Sequence, residues 1–148
     1  MGVKKRASLA LTAQTTLDPA KVHSMVKEAA GQVKGGGTSL LTTGWVNIGA
    51  QVNIEREATG SIDLSITSGK RLLELCTFPA KISRDGGLTQ LRVGGLETYK
   101  HHQQSIFFIP VTPKMIEGMA PYKQFLANLG ALLQAGDPAA QVTIAESA

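Results

Sequence analysis

A chain of 148 residues, 43% hydrophobic and 18% charged, is long enough for one core that buries roughly two-thirds of its unfolded surface and too apolar for global disorder. Fifteen Lys and Arg against eleven Asp and Glu leave a net charge of +4, but apart from Lys4, Lys5 and Arg6 the basic residues are scattered, which argues against nucleic acid as a partner. The single cysteine, Cys76, excludes an internal disulfide framework and a cysteine-rich zinc site, and no apolar run approaches the roughly eighteen residues that a membrane span needs.

Residues 1–6 read as a basic, flexible N-terminus. Ser8, Thr12 and Gln14 interrupt the apolar residues that follow, which makes a poor secretory segment, so a cytoplasmic location is expected. Leu9, Leu11 and Ala13 alternate with those polar residues, the period-two pattern of a half-buried strand, predicted over residues 7–16. Asp18 then supplies an N-cap and Pro19 a first helical residue. Val22, Met25, Val26, Ala29, Ala30 and Val33 recur at helical spacing, so a helix is predicted over residues 19–33, stopped by Gly35, Gly36 and Gly37.

Val46, Ile48, Ala50, Val52 and Ile54 alternate with polar residues, and Ile62, Leu64 and Ile66 do so again after a Thr59-Gly60 turn, which predicts an antiparallel hairpin. Turns at residues 68–70 and 84–87 bound further strands over residues 72–78 and 88–93. Residues 96–104 continue the strand pattern past a bend at Gly94-Gly95. Residues 105–111, with Ile106, Phe107, Phe108, Ile109 and Val111, are the most β-prone piece. Thr112 and Pro113 suggest a helical turn that includes Ile116 and Met119. From Pro121 onward Tyr122, Phe125, Leu126, Leu129, Leu132 and Leu133 form a broad apolar stripe, ended by Gly136 and Pro138. Residues 137–148 read as a flexible tail, leaving residues 7–136 as a single α+β domain.

The expected architecture is an antiparallel, curved β-sheet with an N-terminal helix and a long C-terminal helix packed on it. This order, carried by residues 9–26 and by the stripe over residues 122–133, resembles the helix-grip plan of the START and Bet v 1-like (SRPBCC) superfamily. The resemblance implies a sheet wrapped around the last helix and an apolar ligand cavity between them. In this sequence Tyr99, Phe107, Ile109, Tyr122, Phe125 and Leu129 would line it. The superfamily usually places two short helices after its first strand, where this chain has one helix followed by glycines.

Catalytic signatures are weak. His101 and His102 are adjacent on a predicted strand and point to opposite faces; with Tyr99 they are the only polar groups offered to such a cavity. His23 has no histidine, cysteine or carboxylate at helical spacing to share a metal. Cys76, flanked by Leu75 and Phe78, reads as a buried, inert thiol. Glu55, Glu57, Asp63 and Glu74 read as wet-face carboxylates partnered by Arg56, Lys70 or Arg71. The glycines at 35–37 lie after a helix and lack a following lysine, unlike a phosphate loop. No cofactor or metal is implied. Two readings stay open: a non-catalytic module holding an apolar small molecule between sheet and C-terminal helix, and an assembly protein with a filled core that binds itself or another protein through a strand edge or the helix face near Met115 and Met119.

Overall fold

The computed structural model describes residues 3–33, 50–68, 73–99, 101–102, 105–106, 109–110 and 115–146. The chain runs α1 (Val3–Ala7), β1 (Ala10–Thr15), α2 (Pro19–Gln32), β2 (Gln51–Ala58), β3 (Ser61–Ser68), β4 (Leu73–Asp85) and β5 (Leu88–Gly94). Four two-residue strands follow as β6 (Thr98–Tyr99), β7 (His101–His102), β8 (Ser105–Ile106) and β9 (Ile109–Pro110), then β10 (Met115–Ile116), α3 (Met119–Gly136) and β11 (Gln141–Ala145). The architecture is α+β: an open, curved, antiparallel sheet in the order β11-β1-β5-β4-β3-β2, with β6 added on β4, and helices from both ends of the chain.

The meander from β2 to β5 follows from its turns. Gly86 and Gly87 both have positive φ, at 60° and 86°, as a two-residue hairpin turn of the right twist requires. One face of the sheet is apolar because the alternation stays in phase across strands: Leu11 lies opposite Val93 and Ala13 opposite Leu91, Ala80 opposite Val93 and Ile82 opposite Leu91. A register shift between Ile54 and Arg56 breaks this phase in β2. Ile54 faces the core opposite Leu64, while Glu57, opposite the core-facing Ile62, turns toward the helices.

Those helices cover the apolar face. Val22, Met25, Val26, Ala29 and Ala30 are buried along α2, and Tyr122, Phe125, Leu126, Leu129 and Leu133 along α3. Each of the Val, Met, Leu and Phe side chains among them contributes roughly 1.5–3 kcal/mol by leaving water. The helices also pack on each other, a Cβ placed on Gly136 meeting Met25 Cε at 2.7 Å.

Several segments differ from expectation. Residues 3–7 are helical, where a flexible arm was expected. In place of one strand over residues 96–104, β6 pairs with Cys76 and Thr77 while β7 pairs with Met115 and Ile116, so the turn expected around Ile116 is extended chain. Within residues 105–111 only β8 and β9 fall among the described residues, and they pair with each other. The expected strand start at residues 46–49 lies outside the described residues. The largest difference is at the C-terminus: where a loose tail was expected, Gln141–Ala145 pairs along five of the six residues of β1, Ala10 opposite Ala145 through Gln14 opposite Gln141. Two causes drive it. Asp137 anchors the chain as it leaves α3, and β-branched Val142, Thr143 and Ile144 favour extension.

Candidate functional site

Three of the six residues expected to line a ligand cavity lie on the buried face of α3, two of them against Phe78 of β4. Tyr122, Phe125 and Leu129 are fully buried. The Phe78 ring, rising from the core face of β4, meets Tyr122 edge-on at 4.8 Å between centroids and Phe125 at 5.4 Å. At this point the aromatic rings pack directly on one another between sheet and helix. Tyr99 sits at the margin, half-buried and opposite Cys76. Phe107 lies outside the described residues, and so do the side chains of Ile109, His101 and His102.

Polar groups in this region are held out of chemistry. The Tyr122 hydroxyl donates to the Leu9 carbonyl oxygen, and burial, reinforced by proximity to Cys76, raises its pKa well above the phenol range. Burial also pushes the Cys76 thiol up to about 12, with Glu74 adding in the same direction. Neither group is ionised at neutral pH, which removes Cys76 as a nucleophile.

A second arrangement was invisible in the sequence. His23 Nε2 donates to Glu57 Oε1 at 2.8 Å, and Lys27 Nζ reaches the same oxygen at 3.4 Å. The β2 register shift creates this cluster by turning Glu57 to the helix side, away from Glu55, which accepts from Ser65 on the opposite face. The hydrogen bond from His23 is the main cause holding the Glu57 carboxyl below its usual value. His23 and Glu57 stand at one end of an open cleft of about 410 Å³, whose other walls include Pro19, Ala20, Ala58 and Ile82. Glu55 and Glu57, grouped with Asp63 and Glu74 in the sequence, therefore lie on opposite faces, and among the described residues no three His, Cys, Asp or Glu side chains gather as metal ligands.

The outer face of the sheet is polar. Arg92 lies between Lys81 on β4 and Thr12 on β1, beside a shallow depression of about 310 Å³ that Gln14, Gln90 and Thr143 also line. Lys81 Nζ donates to Ser61 Oγ at 3.0 Å. On the other half of this face Asn53 Nδ2 donates to Thr67 Oγ1 at 2.9 Å and Gln51 Nε2 to Asn53 Oδ1 at 3.0 Å.

Set against protein-family models, curated proteins and solved structures, the chain matches none. Its own geometry is therefore the guide, and the sheet edge at β11 is the feature that sequence reading missed altogether. Every residue of β11 except the half-buried Val142 is exposed, and among the described residues no strand pairs with its far side. The alternation of Val142 and Ile144 with Gln141, Thr143 and Ala145 was the available signal. It lies beyond a helix terminator, where a five-residue pattern carries little weight alone.

Proposed function

We propose that this protein is a non-catalytic interaction module that binds another polypeptide by accepting an extended strand on the outer edge of β11. The observation that carries this reading is the makeup of that edge. Gln141–Ala145 holds no charged residue and no proline, and its register with β1 runs without a bulge. Edge strands are ordinarily protected by those devices, because a row of unpaired N–H and C=O groups templates further pairing. Ile144 leaves a large apolar side chain 42% exposed beside that row. Strand addition would satisfy the backbone groups and cover Ile144.

The cleft beside His23 supports a second reading, in which an apolar small molecule is held against α2. Its walls are largely apolar, and about 410 Å³ lies within the usual size of small-molecule sites. The form implied by the helix-grip resemblance, with the ligand between sheet and C-terminal helix, would need Phe78, Tyr122 and Phe125 to separate. In either reading the single, buried Cys76 suits a reducing, cytoplasmic setting.

Native mass spectra of the protein purified from its own host, compared under gentle and denaturing conditions, separate these readings. A stoichiometric polypeptide partner or an oligomer, lost on Ile144→Lys, is the expected result. One small molecule per chain with no polypeptide partner would overturn the interaction reading in favour of the ligand.

A further inference from the structure

We propose that the polypeptide accepted by β11 is a second copy of this protein, paired antiparallel about a two-fold axis through Thr143. This rests on the edge reading above and names its partner.

The register of β11 is self-complementary. Two copies of Gln141–Ala145 placed antiparallel and centred on Thr143 set Val142 against Ile144 of the other copy, and Gln141 against Ala145. Directly opposed residues on antiparallel strands share a face. Here the shared face is the one beneath α3, since a Cβ built on Gly130 would meet Val142 Cγ1 at 3.4 Å and Ile144 Cδ1 at 4.0 Å. Pairing would thus bury two exposed Ile144 side chains against two Val142 side chains under the flanking helices. On the opposite face Thr143 would meet Thr143, extending the polar row that runs through Thr12 and Arg92.

The flank of α3 fits the same symmetry. Ala127 and Gln134 are the surface neighbours of Gly130 at three and four residues' spacing, with Lys123 one turn further back, and all three are exposed. Ala127 and Gly130 present little bulk where two such helices would approach. A two-fold axis reverses the second helix, so Lys123 in the first half of one α3 faces the second half of the other. The partial negative charge at a helix C-terminus favours a cation there. Because β11 is uncharged, no charged strand residue would meet its own copy, which a homotypic edge needs in a chain of net charge +4.

Sedimentation of the full chain over a concentration series tests this. The expected result is a species of twice the 15.6 kDa chain mass, retained in Ile144→Val and weakened at least about tenfold in dissociation constant by Ile144→Lys, with a cooperative melting transition kept in both variants. Thr143→Cys should give a covalent dimer in oxidised glutathione, because buried Cys76 does not compete. A chain that stays monomeric, with Thr143→Cys failing to cross-link, overturns the second-copy proposal. Amide exchange on that monomer then tells the two readings apart. Fast exchange at alternate β11 residues leaves the edge reading standing for a different polypeptide, whereas protection at every β11 amide overturns both.

Discussion

Asp137 Oδ2 accepts a hydrogen bond from the Thr15 hydroxyl at 2.7 Å, joining the end of α3 to the end of β1 across 122 residues of sequence. The same oxygen accepts from the Thr16 amide at 3.0 Å, and Oδ1 accepts from the Ala139 amide at 3.1 Å. One carboxylate therefore ties the end of β1 to the turn through which the chain passes from α3 into β11. An interaction edge at β11 depends on that turn.

The Asp137 carboxyl is held below its usual value of 3.8, first by the Thr15 hydroxyl and next by the Thr16 amide. A lowered folded-state pKa means that the unfolded chain binds more protons through this range. Its stabilisation is thus complete above the unfolded value and is lost as pH falls through the folded one. Asp137→Asn should melt below the wild type at neutral pH, with the gap constant down to about pH 5 and closing below about pH 4. Thermal melts of both proteins across pH check this; a gap independent of pH would mean that the charge contributes nothing.

Tyr122 and Gly94 are coupled through the same hydroxyl. Gly94 has φ of 99°, and a Cβ there would run into the Tyr122 hydroxyl and approach the Leu9 carbonyl oxygen to 2.9 Å. Tyr122→Phe should cost about 1–3 kcal/mol, because it leaves the Leu9 acceptor without its donor. Gly94→Ala should cost at least about 1–3 kcal/mol from overpacking. With the hydroxyl gone part of that clash disappears, so the double variant should be less destabilised than the sum of the singles, by about 0.5 kcal/mol or more. Urea denaturation of the four proteins closes the cycle, and strict additivity would place the clash elsewhere.

Cys76 provides a probe of the core. With its thiol pushed up to about 12 by burial, the thiolate fraction at pH 8 is on the order of one in ten thousand. Alkylation by iodoacetamide in native buffer should be far slower than that of a free thiol, and should recover only in denaturant. Fast native labelling would show that β4 opens locally near Tyr99.

How much of this could be read from sequence depended on whether a segment's partner was local. α2 ends within a residue of its predicted position because its periodicity and Pro19 lie within the element and the glycines follow it closely in sequence. The β2–β3 hairpin is legible for the same reason, having its own turn, whereas β4 runs on to Asp85, past the end expected at Phe78, and pairs with β5 through residues 80–85. β11 was not legible, since its pairing with β1 is stabilised by Asp137 acting on Thr15 and Thr16, residues at the far end of the chain. His23 and Glu57 met only because of a register shift that alternation alone does not reveal. Of the residues offered as a ligand site, Tyr122, Phe125 and Leu129 were recognisable as core, but a packed core and a pocket draw on the same residue types. The Phe78 ring packs against two of them, Tyr122 and Phe125.

Phe78 therefore offers a direct test of whether the sheet and α3 enclose a ligand. Fully buried between Tyr122 and Phe125, it should cost about 3–5 kcal/mol on replacement by Ala, through lost transfer energy and the cavity left behind. An apolar cavity of that kind stays dry and accepts small aromatic molecules. Benzene or indole should accordingly raise the melting temperature of Phe78→Ala and leave the wild type unchanged. Stabilisation of the wild type itself would mean that the core already holds room for an apolar guest, and the helix-grip ligand reading would then displace the interaction reading.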